Sequence, residues 1–135
     1  MVLSVLLSPV QRSNRVIFLP NKAAVEECLV SGVRYFIPAK LDGYTRGIAT
    51  SYAAPIMEKH FILGDDPIPV WPSGEGKQRG VALQPLYRSV PQSIIKHPDT
   101  LFYELLVFID AIRAGRVRER TIAVKLLKEK INSKI

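Results

Sequence analysis

Apolar and polar positions along the chain change rhythm between its first, middle and last thirds. Residues 1–19 hold two β-like runs, Val2 to Leu7 and Arg15 to Leu19, divided by Ser8-Pro9 and the polar Gln11-Arg12-Ser13-Asn14. β-Branched runs separated by proline and asparagine predict a hairpin or wing. Asn21 is a good helix N-cap, because its side-chain oxygen can accept from a free amide of the first turn. Lys22 to Ser31 predicts a short helix, with Gly32 as its terminator. Val33 to Ile37 predicts a strand stopped by Pro38, and residues 38–59 a long connection with little periodicity. Lys59 to Leu63 predicts a short strand, after which Pro67, Pro69 and Pro72 fix an extended path. Ser73 to Gly80 predicts a glycine-rich turn that lets the backbone pass Trp71.

The last third turns helical. Pro85 to Arg88 and Pro91 to Lys96 predict single helical turns, with Pro91 suited to a first helical position. Asp99 then caps Thr100 to Arg113, where Leu101, Leu105, Phe108 and Ile112 share one stripe flanked by Phe102, Leu106 and Ile109. So wide an apolar arc predicts the most buried helix of the fold. Ala114-Gly115 permits a break before a second long helix, Arg116 to Asn132. At about 3.6 residues per turn, Arg118, Thr121, Lys125, Lys128 and Asn132 form its exposed face, opposite Val117, Val124, Leu127 and Ile131. Arg120 falls on the apolar side and is expected to pair with Asp110 or Glu104, because an unpaired buried charge costs several kcal/mol. The expected fold is α+β in a single domain, 1–135. It comprises a small N-terminal β element over 1–19, usable as a wing or dimerisation element, a helix and a long irregular middle over 20–98, and a helical hairpin over 99–135.

Composition narrows the class. Hydrophobic residues at 47% and charged residues at 23% are ordinary for a folded chain. The longest wholly apolar run, Leu105 to Ile109, is far below the roughly 20 residues that span a bilayer, so no membrane association is expected. The apolar Met1 to Leu7 lacks a basic leader and a cleavage site, so no signal peptide is expected. Cys28 is the only cysteine, which leaves no internal disulfide and a cytoplasmic location as the expectation. The net charge is +7, and its placement matters more than its size. Residues 113–135 carry eight basic and two acidic side chains, hence six of those seven charges. A basic terminal segment suits nucleic acid, an acidic protein or simple solubility.

The candidate chemistry is sparse. His60 and His97 stand in unrelated contexts, so neither a metal site nor a cofactor is expected. Cys28 has no neighbouring base and reads as a small core residue. Gly74 to Gly80 lacks the strand, helix and Lys-Ser/Thr ending of a phosphate loop. Thr45, Arg46, Thr50, Ser51 and Tyr52 are the candidates for ligand or partner binding: hydroxyls, amides and one guanidinium could hold a phosphate. Alternatively Arg46 pairs with an internal carboxylate and the hydroxyls satisfy loop backbone. Arg118, Lys125 and Lys128 are the nucleic-acid candidates, able to lie along phosphates. Without interleaved aromatics, single-strand stacking is not expected.

Several motifs in one order resemble a known family. They run from Asn21 to Ser31 and Gly32-Val33-Arg34-Tyr35-Phe36-Ile37-Pro38 to Thr45-Arg46-Gly47 and Thr50-Ser51-Tyr52-Ala53-Ala54-Pro55. Pro69-Val70-Trp71-Pro72, Gly76 to Gly80 and Leu86-Tyr87-Arg88-Ser89-Val90-Pro91 follow. Tyr103-Glu104-Leu105-Leu106, Asp110-Ala111-Ile112-Arg113 and Gly115-Arg116-Val117-Arg118-Glu119-Arg120 complete the set. This resembles the region after the helix-turn-helix in a bacterial family of MarR-like transcriptional regulators, over roughly residues 20–132. The resemblance implies a winged-helix-related regulatory module without enzymatic activity. Residues 1–19 supply at most a trailing wing, so sequence-specific reading by a recognition helix is not expected of them. The expected partners are duplex DNA through its phosphates, a protein partner, or a second copy of the chain in a homodimer. A toxin-neutralising protein is the alternative, and an enzyme or binder of a phosphorylated small molecule ranks below both.

Overall fold

The structure, a computed structural model, describes residues 7–12, 15–62 and 64–134. β1 (Leu7–Arg12) and β2 (Arg15–Pro20) form an antiparallel ribbon running from Leu7 opposite Pro20 to Arg12 opposite Arg15. The expected hairpin is present, but Ser8-Pro9 and Gln11-Arg12 lie inside β1 rather than between the strands. A two-stranded ribbon has only edge strands, where a proline's missing amide is tolerated. Most of the expected run Val2 to Leu7 lies outside the described residues.

Asn21 caps α1 (Lys22–Glu27), its Oδ1 accepting from the Ala24 amide at 3.2 Å. Gly32 does not end the helix as expected. A π-turn over Cys28–Gly32 carries it into α2 (Val33–Phe36), replacing the strand expected at Val33 to Ile37. Gly32 has a φ of −119°, so it never takes the left-handed conformation of a terminator. Val33 is buried in the core and Leu29 and Val30 pack against it. Tertiary burial overrides the local glycine signal here. Cys28 is half-buried rather than a core residue.

The middle follows an irregular path held by a small sheet. β3 (Leu41–Ala49) leads through a 3-10 turn (Ser51–Ala53) into α3 (Pro55–Glu58), and β4 (Pro69–Pro72) and β5 (Gln78–Leu83) follow. β3 is antiparallel to both β4 and β5, which pair in parallel with each other, so the three strands close on themselves. Gly47 is the corner, opposite both Pro72 and Gln78. A Cβ there would lie 2.0 Å from the Trp71 carbonyl oxygen, and one on Gly80 2.0 Å from that of Ile68. Only glycine admits backbones this close. The described part of the strand expected at Lys59 to Leu63 is a turn leaving α3, with the His60 amide donating to Met57 O.

Pro85 to Arg88 forms bends and turns without helix, and α4 (Val90–Lys96) follows with proline in its first turn. α5 (Thr100–Ala114) is capped by Asp99, whose Oδ1 accepts from the Phe102 amide at 3.1 Å. Every residue from Leu106 to Arg113 on α5 is buried, as the wide apolar arc predicts. α6 (Val117–Lys134) packs Ala123, Leu127 and Ile131 against it in the core that also holds Trp71 and Met57. The fold is α+β with a C-terminal helical pair. Two details depart from expectation. Val117 is 71% exposed, and Arg120 takes neither expected partner: Glu104 pairs with Lys130 at 2.7 Å and Asp110 with Arg113. The antiparallel hairpin brings Glu104, early in α5, beside the late part of α6, while Asp110 turns toward the sheet.

Candidate functional site

Asp110 projects from the middle of α5 into the seam with the sheet and is 1% exposed. Its Oδ2 accepts from Thr50 Oγ1 at 2.7 Å and from Trp71 Nε1 at 2.6 Å, and its Oδ1 from Arg113 Nη1 at 2.7 Å. Arg113 also donates through Nε to the Ile37 carbonyl at 2.8 Å, at the exit of α2. One carboxylate therefore joins α5 to the end of β3 and to β4, and through Arg113 to the α2 exit. Burial pushes the Asp110 carboxyl up, while Thr50, Arg113 and Trp71 pull the other way. Tyr103 stacks edge-on against Trp71, ring centroids 5.7 Å apart, and donates its hydroxyl to the Ala49 carbonyl. Burial, with a smaller contribution from Glu58, pushes its phenol up to about 12.

Beyond this seam, a cavity of 630 Å³ opens between the 3-10 turn, the connection before β4 and the start of α6. Of the five candidates in 45–52, Ser51 and Tyr52 line it, and Thr45, Arg46 and Thr50 do not. Thr50 is spent on Asp110, and Arg46 is exposed on β3, so the expectation of an internal carboxylate for Arg46 fails among the described residues. Ser51 has a φ of 56°, in the left-handed region, and its buried hydroxyl has no hydrogen-bond partner among the described residues. Tyr52 sits among Glu119, Asp66 and Arg116, its phenol pushed up first by burial and then by the two carboxylates.

The basic candidates divide between two surroundings. Arg118, Lys125 and Lys128 are all exposed on α6 together with Thr121 and Asn132. Arg118 also lines the cavity, its guanidinium carbon 5.6 Å from the Phe61 ring centroid. Arg116, Glu119 and Asp66 complete the charged part of the cavity; Arg116 and Glu119 stand in the last of the family-like motifs, and none of the three was among the binding candidates. Their signal was weak, since adjacent acids in a turn usually face solvent and Arg116 opens a predicted helix. Asp110, Arg113 and Trp71 were visible as motif residues without any sign that they meet. His60 and His97 are both exposed, and no group of three or more His, Cys, Asp or Glu is placed to hold a metal among the described residues. No helix among them is long and apolar enough to cross a membrane.

Comparison of the chain with protein-family models, with curated proteins and with solved structures found no match.

Proposed function

We propose that the chain is a non-enzymatic regulatory or interaction module of the bacterial transcriptional-regulator kind, making electrostatic contact with duplex DNA through one face of α6. The observation that carries this reading is the exposure of Arg118, Lys125 and Lys128 on a single face, spanning about 15 Å at 1.5 Å per residue. That face can follow a phosphate backbone without reading bases. The hydroxyl-bearing segment favours a structural over a catalytic role, because Thr50 is committed to Asp110 and Arg46 stands apart from the cavity beside Ser51. Self-association, which would present two such faces, belongs to the same proposal.

Duplex binding by the unaltered chain and by the Arg118→Ala/Lys125→Ala/Lys128→Ala variant, compared at low salt, tests the reading. Binding lost in the variant supports it, and binding retained there moves the contact elsewhere. A second reading, a toxin-neutralising or other protein-binding role, is favoured by the exposed Tyr35, Phe36, Ile37, Leu41 and Tyr44 within ten residues of chain. It requires no affinity for DNA at physiological salt and a specific protein bound instead.

A further inference from the structure

We propose that the N-terminal ribbon joins two copies of the chain, β2 pairing antiparallel with β2 of a second copy about a two-fold axis through Ile17. This pairing deepens the self-association part of the reading above and rests on it, while the DNA contact stands apart. β1 and β2 form a sheet of their own, separate from β3–β5. Among the described residues, neither strand packs broadly on any other element. A lone two-stranded ribbon is marginal in water, and added strands supply the missing stability.

The register identifies the open edge. Arg12 lies opposite Arg15 with two residues between them in sequence, and so short a hairpin closes on a hydrogen-bonded pair. Alternation along the ladder makes Val10–Ile17 and Ser8–Leu19 hydrogen-bonded pairs as well. Leu7–Pro20, Pro9–Phe18 and Gln11–Val16 are then the pairs whose backbone groups point outward. Both prolines of the ribbon fall in that set, where a missing amide costs the ladder nothing. Pro9 interrupts the outer edge of β1 near its middle. The outer edge of β2 keeps the amides and carbonyls of Val16 and Phe18, a template for one more strand.

That template matches itself. Turned about Ile17, Val16 falls opposite the partner's Phe18, and Phe18 opposite the partner's Val16. Each donates to and accepts from the other, so every outward amide between Arg15 and Leu19 is used. β-Branched and aromatic residues at opposite register positions are a favoured cross-strand pairing. The arginines select the antiparallel direction. Arg12 and Arg15 share one end of the ribbon, and the two-fold axis sends the two arginine-bearing ends apart. A parallel pairing in register would set Arg15 beside the partner's Arg15, and like charges so placed repel.

Two thiol variants of the full chain test the axis, each made with Cys28→Ser so that one cysteine remains. Ile17→Cys lies on the axis, opposite its own copy in a non-hydrogen-bonded pair, where Cα atoms about 4.5 Å apart suit a disulfide. Val16→Cys lies opposite the partner's Phe18 instead. Under copper-phenanthroline, Ile17→Cys should cross-link into dimers at least about tenfold faster than Val16→Cys. Sedimentation of the unaltered chain should show a dimer fraction that rises with concentration and does not fall as salt is raised, since backbone pairing holds it. Val16→Pro removes an outward amide, spares the β1–β2 ladder, and should give a monomer with unchanged circular dichroism. A chain that stays monomeric up to about 1 mM overturns the proposal. So does equal cross-linking of the two thiol variants, or a folded Val16→Pro that still dimerises. None of these readouts contains DNA, so failure here is distinct from failure of the α6 contact.

Discussion

Replacing Asp110 by Asn leaves the Arg113 guanidinium buried, still facing the Ile37 carbonyl but without an anion. Breaking a buried pair from one side costs about 3–5 kcal/mol, far more than the net worth of the pair. A urea melt of Asp110→Asn should show a loss of that size. Thr50→Val removes one donor to the carboxylate and should lose about 1.5–3 kcal/mol, the range for hydrogen bonds to charged groups. Tyr103 gives a pH-dependent counterpart. Its folded pKa of about 12 lies above the ordinary tyrosine value of 10.0, so between those values the unfolded chain has lost a proton that the folded chain retains. Stability contributed at neutral pH is therefore full below about pH 10 and falls as pH rises toward 12. Phenolate absorbance should show a late-titrating tyrosine that disappears in Tyr103→Phe. At this scale sequence reasoning recognised Thr50 as special and assigned it the wrong partner. A threonine facing a ligand and one facing a buried aspartate 60 residues away look identical in sequence.

Elements were legible wherever a local signal and burial agreed. Asn21 and Asp99 cap the helices that their spacing predicted, and α5 buries the stripe that its periodicity marked. Where the two disagreed, packing prevailed. Val33 to Phe36 is β-branched and aromatic, yet continues a helix because Val33 enters the core. β3 was hidden because Gly43 and Gly47 interrupt it, and its burial falls mainly at the Gly47–Ala49 end, leaving the rest without clear alternation. The two glycines have opposite roles. A Cβ on Gly43 meets nothing within 4 Å, whereas one on Gly47 would enter the Trp71 carbonyl. Gly43→Ala should therefore stay within about 0.5 kcal/mol of the unaltered chain. Gly47→Ala should lose more than about 2 kcal/mol, since neighbouring backbone must move. Thermal melts of the pair separate a corner that closes the sheet from a glycine that is merely present in a strand.

For the whole molecule, the sequence showed where charge accumulates but not where surfaces meet. Arg118 was legible as part of an α6 face; its position beside Phe61 and the Ser51 cavity depends on how the hairpin packs against the sheet. Asp66 and Glu119, more than 50 residues apart, are brought together by that packing alone. The basic surface and the cavity thus share Arg118, while Lys125 and Lys128 belong only to the former. Fluorescence anisotropy of a labelled duplex across a salt series, from about 50 to 200 mM, tests the α6 face most directly. If three side chains each neutralise one phosphate, log affinity should fall against log salt with a slope near −2.7, from about −0.9 per contact. The Arg118→Ala/Lys125→Ala/Lys128→Ala variant should lose that slope together with the binding. Absence of binding at the lowest salt, or an unchanged slope in the variant, would contradict the account.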